Sequence, residues 1–389
     1  MASVPPEVER AEPSAFAGPG FGLRWRQFRN RLLESPRFQA WAASFPFTRG
    51  IAGRHARALF DLCAGFVYSQ VLYACVKLDV FEQLAAGPRG AAELALRWQM
   101  PAASAQRLLD AAASLQLLER RRDGRYELAT LGAALRGNPG VAAMIEHHRL
   151  LYADLADPVA LLRDGAADTQ LSRYWAYAGD RSGAALEPDR VREYTRLMAR
   201  SQHLVAADIL DAYPLTRHRR LLDVGGGDGS FAVAAVNGSG SLSAIVADLP
   251  GVAVAARQNI AARGLASRIA VVECDALREP LPAGADVASL VRVIHDHDDE
   301  PALTLLKRAH DALPPGGALL IAEPMAGAAG AEAMGDAYFG FYLLAMGSGR
   351  PRTPAELSAM ARSAGFAEAR LLPARRPLLV QVLMCRSAA

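Results

Sequence analysis

The chain has 389 residues, which is longer than a single hydrophobic core usually spans, so we expect two domains with extensions. Its composition, 51% hydrophobic and 21% charged, is globular, and a net charge of +3 does not by itself indicate nucleic-acid binding. No run of 18 residues is both uncharged and strongly apolar, so we expect no membrane span. The four cysteines form no CxxC pair, which argues against a disulfide framework and favours a reducing cytoplasm.

Residues 1–50 are predicted to be a disordered tail followed by an amphipathic arm. The tail carries acids and prolines and lacks the basic-then-apolar pattern of a secretion signal. In the arm, Phe21, Trp25, Phe28 and Leu32 recur at helical spacing, and arginines lie between them. Such a stretch can lie on an anionic membrane surface or pack on a partner subunit, and the sequence leaves both interpretations open.

Residues 51–210 are predicted to form a helical domain that resembles a winged helix. Two helical segments precede LLERRRDGRYELAT, in which Asp123-Gly124 between alternating residues predicts a hairpin. Winged helices often bind DNA. We expect no nucleic-acid contact here, because the segment in the position of a recognition helix, SAQRLLDAAASLQ, has Arg107 as its single cation and also carries Asp110.

Residues 211–389 are predicted to be an α/β domain. Helical stretches separate six apolar strand segments: RRLLDVG, SAIVADL, RIAVVECD, ADVASLVRV, GALLIAE and LLVQVLMCR. Apolar strands that alternate with helices indicate a mostly parallel sheet covered on both faces. Because ligands bind such sheets beyond the carboxyl ends of the strands, the polar residues that follow each strand are candidate site residues.

The first strand ends in DVGGGDGSF, a glycine-rich loop of the kind that lets a backbone approach a ligand closely. Nucleotide, dinucleotide and adenosylmethionine binders share such loops. The dinucleotide pattern GxGxxG places Ser230 where its third glycine is required, so that match is incomplete. The run is instead an acid, Asp223, followed by glycines that alternate at 225, 227 and 229.

Two aspartates follow the next two strands. Asp248 is placed to accept hydrogen bonds from both hydroxyls of a ribose, and its charge would repel a 2′-phosphate. Asp275 is placed to accept a hydrogen bond from an adenine amine. The alternative for each is helix N-capping, but two such acids behind a glycine-rich loop favour ligand binding.

The motifs DVGGGDGSF, ADLPGV, CDAL, VRVIHDHDDE and LPPGGALLIAE, in this order, resemble the class I S-adenosylmethionine-dependent O-methyltransferases of the plant and bacterial small-molecule type. The resemblance implies a Rossmann-like domain with a mixed, mostly parallel seven-stranded sheet, preceded by an all-α winged-helix-like dimerisation domain. It also implies a homodimer, S-adenosylmethionine as co-substrate and no metal. Carried over to this sequence, the cofactor-binding residues are Gly225 and Gly227 for the methionine portion, Asp248 for the ribose, Asp275 with Ala276 for the adenine, and Arg292 beside the cofactor.

His295, in HDHDD, is the candidate general base. It follows the fourth strand, and an imidazole oriented by a carboxylate accepts a proton near neutral pH. The family has His-Asp-Trp at this place, and its glutamate at the end of strand five maps onto Glu323. Two departures stand out: His297 replaces the tryptophan, and Pro351 replaces a second supporting glutamate, unless Asp296 or Asp336 takes over that role.

A metal site is the competing interpretation of HDHDD, because it supplies two histidines and three aspartates as ligand types. Alternating positions on one turn rarely converge on an ion, so we expect none. Asp298, Asp299 and Glu300 are interpreted instead as the first turn of a helix, where acids favour the helix dipole.

The acceptor is predicted to be lipophilic. The segment GDAYFGFYLLAMGSG is apolar and aromatic after Asp336, which fits either a pocket wall or plain core. Over its whole length, and most clearly in the stretches FPFTRGIAGRHARALFDLCAGFVYSQVLYACV and GSGRPRTPAELSAMARSAGF, the chain resembles one bacterial branch of the family, the demethylspheroidene (hydroxyneurosporene) O-methyltransferases. That implies methylation of the tertiary C1 hydroxyl of an acyclic carotenoid, by a protein that is cytoplasmic and peripheral to the inner or photosynthetic membrane.

Two alternative functions remain open. The first is a methyltransferase of the same fold that acts on a bacteriochlorophyll precursor or a polyketide. The second is a non-methylating S-adenosylmethionine-binding protein, either a hydroxylase or a winged-helix regulator. The presence of both His295 and Glu323 disfavours the second alternative.

Overall fold

The computed structural model describes residues 21–165, 168–174, 202 and 204–389. The predicted tail, residues 1–20, and the predicted helical stretch over residues 175–201 lie outside the described residues. The chain divides into two compact units between Val71 and Leu72. The domain boundaries that we placed after residues 50 and 210 stay predictions.

The first unit is helical. Its elements are Phe21–Glu34, Pro36–Ser44 and the larger part of Arg49–Lys77. By length and composition alone, Arg49–Lys77 is apolar enough to cross a membrane, and very little of its apolar window is buried. The sequence analysis predicted no membrane span because it looked for an uncharged run of 18 residues. In this helix every stretch of 18 residues contains a charged residue, but its mean hydropathy is still high enough.

The second unit begins with short helices and a hairpin. The helices are Val80–Ala85, Ala91–Arg97, Ala102–Ser114, Thr130–Arg136, Pro139–Asp154, Pro158–Asp164 and Gln170–Tyr174. The strands β1 (Leu118–Arg120) and β2 (Tyr126–Leu128) pair antiparallel, which confirms the predicted hairpin. Gly124 takes a φ of +80° in the turn, a value that glycine adopts without strain.

The rest of the second unit contains a seven-stranded sheet. Its strands are β3 (Arg220–Val224), β4 (Ser243–Asp248), β5 (Ile269–Glu273), β6 (Val287–Val291), β7 (Ala318–Glu323), β8 (Glu368–Leu372) and β9 (Gln381–Arg386). Their order is β5-β4-β3-β6-β7-β9-β8, parallel except for β9, which is antiparallel to both of its neighbours. The six segments that the apolar pattern predicted are confirmed as strands. β8 escaped that pattern because it is an exposed edge strand with charges at Glu368 and Arg370.

Both faces of this sheet are buried. Along β3, Leu221 packs into one core cluster and Leu222 into the other, and the same alternation continues along the neighbouring strands. The helical backbone at 204–212 and the helices Ser230–Asn237 and Pro250–Ala262 cover one face, while Asp299–Ala312 and Pro354–Ser363 cover the other. The strand order reverses between β3 and β6, so a crevice is expected beyond the carboxyl ends of these two strands.

Candidate active site

The glycine-rich loop follows β3 at the crevice. Gly225, Gly227 and Gly229 all have positive φ, +64°, +62° and +77° respectively. A Cβ on Gly225 would lie 2.8 Å from Val293 Cγ2, whereas nothing lies within 4 Å of the corresponding position on Gly227. Gly225 is therefore required by packing inside the protein. Gly227 presents open backbone, which fits close approach by a ligand.

Asp223, at the head of this loop, is completely buried. Ser289 Oγ donates a 2.7 Å hydrogen bond to its Oδ1, and Oδ2 has no partner among the described residues. Burial raises the pKa of Asp223 to about 7. A Cβ on Gly226 would lie 2.6 Å from Asp223 Oδ2, so this acid explains the one glycine of the run that the alternating spacing left unexplained.

Asp248 is the last residue of β4, and its carboxylate ties the strand end to the glycine loop. The backbone N–H of Gly227 donates to Oδ2 at 2.7 Å, and that of Leu249 donates to Oδ1 at 2.7 Å. Burial raises the pKa of Asp248 to about 6, although both hydrogen bonds oppose this shift. The capping residue of the next helix is Leu249, so Asp248 is not its N-cap.

Asp275 and Ala276 lie beyond the end of β5, and both are partly buried. Asp275 accepts a hydrogen bond from Leu277 N–H at 3.1 Å and lies 3.5 Å from Arg278 Nε. The carboxyl ends of β3, β4 and β5 thus bring Gly227, Asp248 and Asp275 to the same edge of the sheet, as the sequence predicts.

Arg292 directly follows β6 and adopts a φ of +56°, which is uncommon for a residue with a side chain. Its N–H donates to Ala322 O at 2.8 Å, and its guanidinium donates to Gln202 Oε1 at 2.6 Å. Strained backbone of this kind often occurs at functional sites. A role for Arg292 beside the cofactor stays a prediction.

His295 and Glu323 form a buried pair. His295 lies in a short 3₁₀ turn, Ile294–Asp296, four residues beyond the end of β6 rather than directly after it. Its Nδ1 is hydrogen-bonded to Glu323 Oε2. The other oxygen, Oε1, accepts from Val293 N–H at 3.1 Å and Ile294 N–H at 2.8 Å. One carboxylate therefore orients both the imidazole and the turn that carries it.

A second carboxylate contacts His295. Asp296 Oδ1 lies 3.1 Å from His295 Nε2, whereas Asp336 accepts from Gly327 N–H at 3.3 Å instead. Asp296, and not Asp336, is thus placed as the second acid. Burial alone lowers the pKa of His295, but the charges of Glu323 and Asp296 outweigh it and raise that pKa to about 10.

The segment 348–352 packs on the 3₁₀ turn that carries His295 and is hydrogen-bonded to its backbone. Ser348 Oγ donates to Asp296 O at 3.0 Å, and a Cβ on Gly349 would lie only 2.0 Å from His295 O. The buried Arg352 donates to Ile294 O at 2.9 Å and His297 O at 2.8 Å. The sequence drew our attention to Pro351 and missed Arg352, because no local pattern marks an arginine that folds inward.

The remaining residues of HDHDD begin a helix, as predicted. The helix Asp299–Ala312 starts there, and Asp299 also accepts from Arg352 Nη2 at 2.7 Å. Burial lowers the pKa of His297. Within the described ranges, no group of three His, Cys, Asp or Glu side chains is placed to hold a metal ion.

Aromatic residues lie next to the base. The Phe339 ring is 5.7 Å from the His295 ring, centroid to centroid. Its neighbour Tyr338 bonds His148 Nε2 through its hydroxyl at 2.8 Å, and Tyr342 bonds His147 Nε2 at 2.7 Å. Burial lowers the pKa of His147 to about 4, so His147 is uncharged at neutral pH, and burial also lowers the pKa of His148. The sequence left open whether this aromatic segment is a pocket wall or plain core, and Tyr342, Leu343 and Met346 belong to a buried core cluster.

Two sequence profiles match this chain: an O-methyltransferase dimerisation domain over residues 60–137 and an O-methyltransferase domain over residues 152–367. A demethylspheroidene O-methyltransferase of Cereibacter sphaeroides is 43% identical over 93% of this chain and 95% of its own length. The enzyme of the same name from Rhodobacter capsulatus is 38% identical over 92% of this chain and 88% of its own. The chain belongs to the class I S-adenosylmethionine-dependent O-methyltransferase family.

A solved structure supports the fold. Human N-acetylserotonin methyltransferase in complex with S-adenosylmethionine superposes with a TM-score of 0.71 at 24% identity, covering 86% of this chain and 98% of that one. The protein is therefore an O-methyltransferase that uses S-adenosylmethionine. The matched dimerisation domain supports a homodimer, and it includes the second half of the exposed apolar helix Arg49–Lys77.

Proposed function

We propose that this O-methyltransferase methylates the tertiary C1 hydroxyl of an acyclic carotenoid. The observation that carries the proposal is the 43% identity, over nearly the whole chain, to a demethylspheroidene O-methyltransferase. The apolar Phe339 ring, which lies beside the His295 ring, agrees with an apolar acceptor. A methyltransferase acting on a bacteriochlorophyll precursor or a polyketide is the alternative.

The residues at the crevice fit the co-substrate. Gly227 leaves room for close approach, and the carboxylates of Asp248 and Asp275 stand at successive strand ends where ribose and adenine groups can donate to them. In the proposal, Gly225 and Gly227 flank the methionine portion, Asp248 binds the ribose, Asp275 with Ala276 holds the adenine, and Arg292 lies beside the cofactor. When bound, S-adenosylmethionine supplies an electrophilic methyl group for in-line displacement.

His295 removes the acceptor's proton in this proposal, and Glu323 stabilises the imidazolium that results. An alcohol is a weak acid, so proton removal has to accompany formation of the new carbon–oxygen bond. The imidazole has to be neutral to accept this proton, whereas the two flanking carboxylates favour its protonated state in the free protein. The acceptor hydroxyl has to take the place of Asp296 at Nε2, because that carboxylate contacts Nε2 in the free protein.

The proposed setting is a cytoplasmic homodimer that works at the surface of the membrane in which its acceptor dissolves. A very long polyene is insoluble in water, so the enzyme has to receive it from lipid or from a carrier. The basic, aromatic arm at the start of the described chain supports a peripheral contact of this kind.

The acceptor class is tested with purified full-length protein and methyl-labelled S-adenosylmethionine. Hydroxylated acyclic carotenoids, tetrapyrroles and polyphenols are supplied separately in detergent micelles, and label in each product is measured. We expect label in the carotenoid alone. Labelled tetrapyrrole or polyphenol together with unlabelled carotenoid would overturn the carotenoid proposal.

The base is tested with His295→Ala. We expect turnover to fall about 10²- to 10⁴-fold, the usual contribution of a general base, while S-adenosylhomocysteine binds as in the wild type by calorimetry. His310→Ala is the matched control, because His310 lies at the far end of the helix that follows the HDHDD turn and packs on Phe366. Full turnover by His295→Ala would remove this residue as the base.

A further inference from the structure

The arm, which we define as residues 21–47, exposes eight large apolar side chains. Its helices Phe21–Glu34 and Pro36–Ser44 bury little between them. Trp25 and Phe28 are each 58% exposed and Phe47 is 85% exposed. The other exposed large apolar residues of the arm are Leu23, Leu32, Leu33, Trp41 and Phe45. Contiguous exposed apolar surface of this kind marks an interaction site.

Aromatic rings dominate this surface and contact one another along the arm. Trp25 and Phe28 lie 5.9 Å apart, centroid to centroid, and Trp41 stacks on Phe45 at 5.0 Å. Tryptophan and phenylalanine on one face of an amphipathic helix are typical of helices that lie in the membrane interface. Trp25, Phe28 and Leu32 share one face because their spacing follows the helical repeat.

Arginines border that face on both sides. By helical geometry Arg24 and Arg31 lie on one side of the Trp25–Phe28–Leu32 stripe, and Arg29 lies on the other. The arm as a whole holds five arginines against one acid, Glu34. Long arginine side chains can extend their charged ends to lipid headgroups while the apolar stripe enters the acyl boundary.

The charge of the arm favours an anionic surface over a contact between two arms. A second copy of this chain would bring an arm of the same positive charge, so a contact between two arms is unfavourable. The dimerisation-domain match also begins only at residue 60, beyond the arm. An anionic surface complements both the arginines and the apolar stripe.

We propose that the arm binds the surface of a membrane that contains anionic lipids, with its helix Phe21–Glu34 parallel to the bilayer plane. The proposal rests on the proposed function only for its purpose, which is access to an acceptor dissolved in lipid. The contact itself needs no catalysis. Salt weakens the contribution of the arginines, whereas the aromatic contribution persists.

Vesicle flotation of the full-length protein tests this. With vesicles of phosphatidylcholine and phosphatidylglycerol we expect flotation, and with phosphatidylcholine alone we expect much less. Replacing Arg24, Arg29 and Arg31 with glutamine should weaken binding to the anionic vesicles roughly 100-fold, because each cation near such a surface contributes about a fivefold factor. The matched control removes three exposed arginines outside the arm and outside the matched dimerisation domain: Arg263→Gln, Arg362→Gln and Arg370→Gln.

Trp25→Ala combined with Phe28→Ala should also reduce flotation, and circular dichroism verifies that the fold persists. Failure of the wild-type protein to float with anionic vesicles would overturn the proposal. So would loss of dimer in the Arg24/Arg29/Arg31 variant, seen by sedimentation velocity, with flotation unchanged, because the arm would then belong to a second copy. Methyl transfer to carotenoid in detergent micelles does not need the arm, so that assay tests the proposed function separately.

Discussion

The two sides of the crevice are built by different means. The side of β3, β4 and β5 is formed mainly by backbone conformation. It consists of three glycines with positive φ and of the aspartates at the strand ends. On the side of β6 and β7, buried side chains from three distant segments hold one imidazole: the HDHDD turn, Glu323, and residues 348–352. The first side can be recognised in the sequence as a motif, whereas the second side can be recognised only in the folded structure.

The contrast is tested most strongly at Gly349, on the side of the base. In Gly349→Ala the new Cβ would lie 2.0 Å from His295 O and 2.6 Å from Asp296 C, so the turn has to move. A displacement of about 1 Å costs about 100-fold in rate, and we expect kcat to fall by at least that much. The measurement is single-turnover methyl transfer at saturating S-adenosylmethionine.

Gly330→Ala is the matched control for Gly349→Ala. Gly330 has a φ of +77°, close to the +79° of Gly349, but nothing lies within 4 Å of its Cβ position. Both variants therefore have the same backbone strain, and only one displaces the base. Equal loss of activity in the two variants would show that strain, not the position of His295, explains the effect.

The second prediction concerns Arg352, whose guanidinium holds the carbonyls of Ile294 and His297. In Arg352→Met both buried acceptors lose their donor, at about 1–3 kcal/mol each in the free energy of unfolding. Urea unfolding should show this loss, and kcat should fall with it. Arg350→Met is the control, because Arg350 also pairs with Asp299 but its side chain is 43% exposed, and ion pairs near the surface contribute about 1 kcal/mol or less. Similar unfolding midpoints for the two variants would contradict the proposed stabilisation of the His295 turn by Arg352.

Gly349 and Arg352 also show which part of the site could not be predicted from the sequence. Glu323 could be predicted through the family resemblance, which implies a glutamate at the end of this strand, and Asp248 could be predicted because it ends the strand that follows the glycine-rich loop. Arg352 lies about 30 residues from Glu323, and its burial depends on how the 348–352 segment folds back over the HDHDD turn. Charged residues are rarely buried, so an arginine in a loop is expected to face solvent unless its partners are known.

The same reasoning explains why the sequence could not identify the second acid beside His295. The sequence offered Asp296 and Asp336 as equals, because distance along the chain does not tell which carboxylate reaches the imidazole. The π-helix Ala333–Phe339 places Asp336 toward the Gly327 backbone, and the 3₁₀ turn places Asp296 at Nε2. Irregular turns of this kind have no periodic signal in sequence.

The third prediction tests the cofactor side. Gly227→Ala should weaken S-adenosylhomocysteine binding about 5- to 150-fold, because the new methyl group faces the open side of the loop and crowding of a bound ligand there costs about 1–3 kcal/mol. Gly264→Ala is the control, with a φ of +69°, nothing within 4 Å and a place far from the crevice at the end of a helix. Calorimetry on both variants measures the effect. Unchanged affinity in Gly227→Ala would mean that the loop does not approach the ligand.

The smallest effect is expected from Asp296→Asn, and it is a shift of pH dependence rather than a loss. The neutral imidazole is the base, so activity should rise with pH as His295 loses its proton, and the two carboxylates delay that rise by raising its pKa to about 10. Removing one negative charge lowers the pKa of His295, so the rise should move by about one unit toward lower pH. The matched change Asp298→Asn alters a neighbouring acid that is exposed and bonded to Gly349 N–H. The pH profile of kcat/KM, which reports the groups of the free enzyme, distinguishes them. A shift toward higher pH in Asp296→Asn would contradict the assignment of His295 as the base.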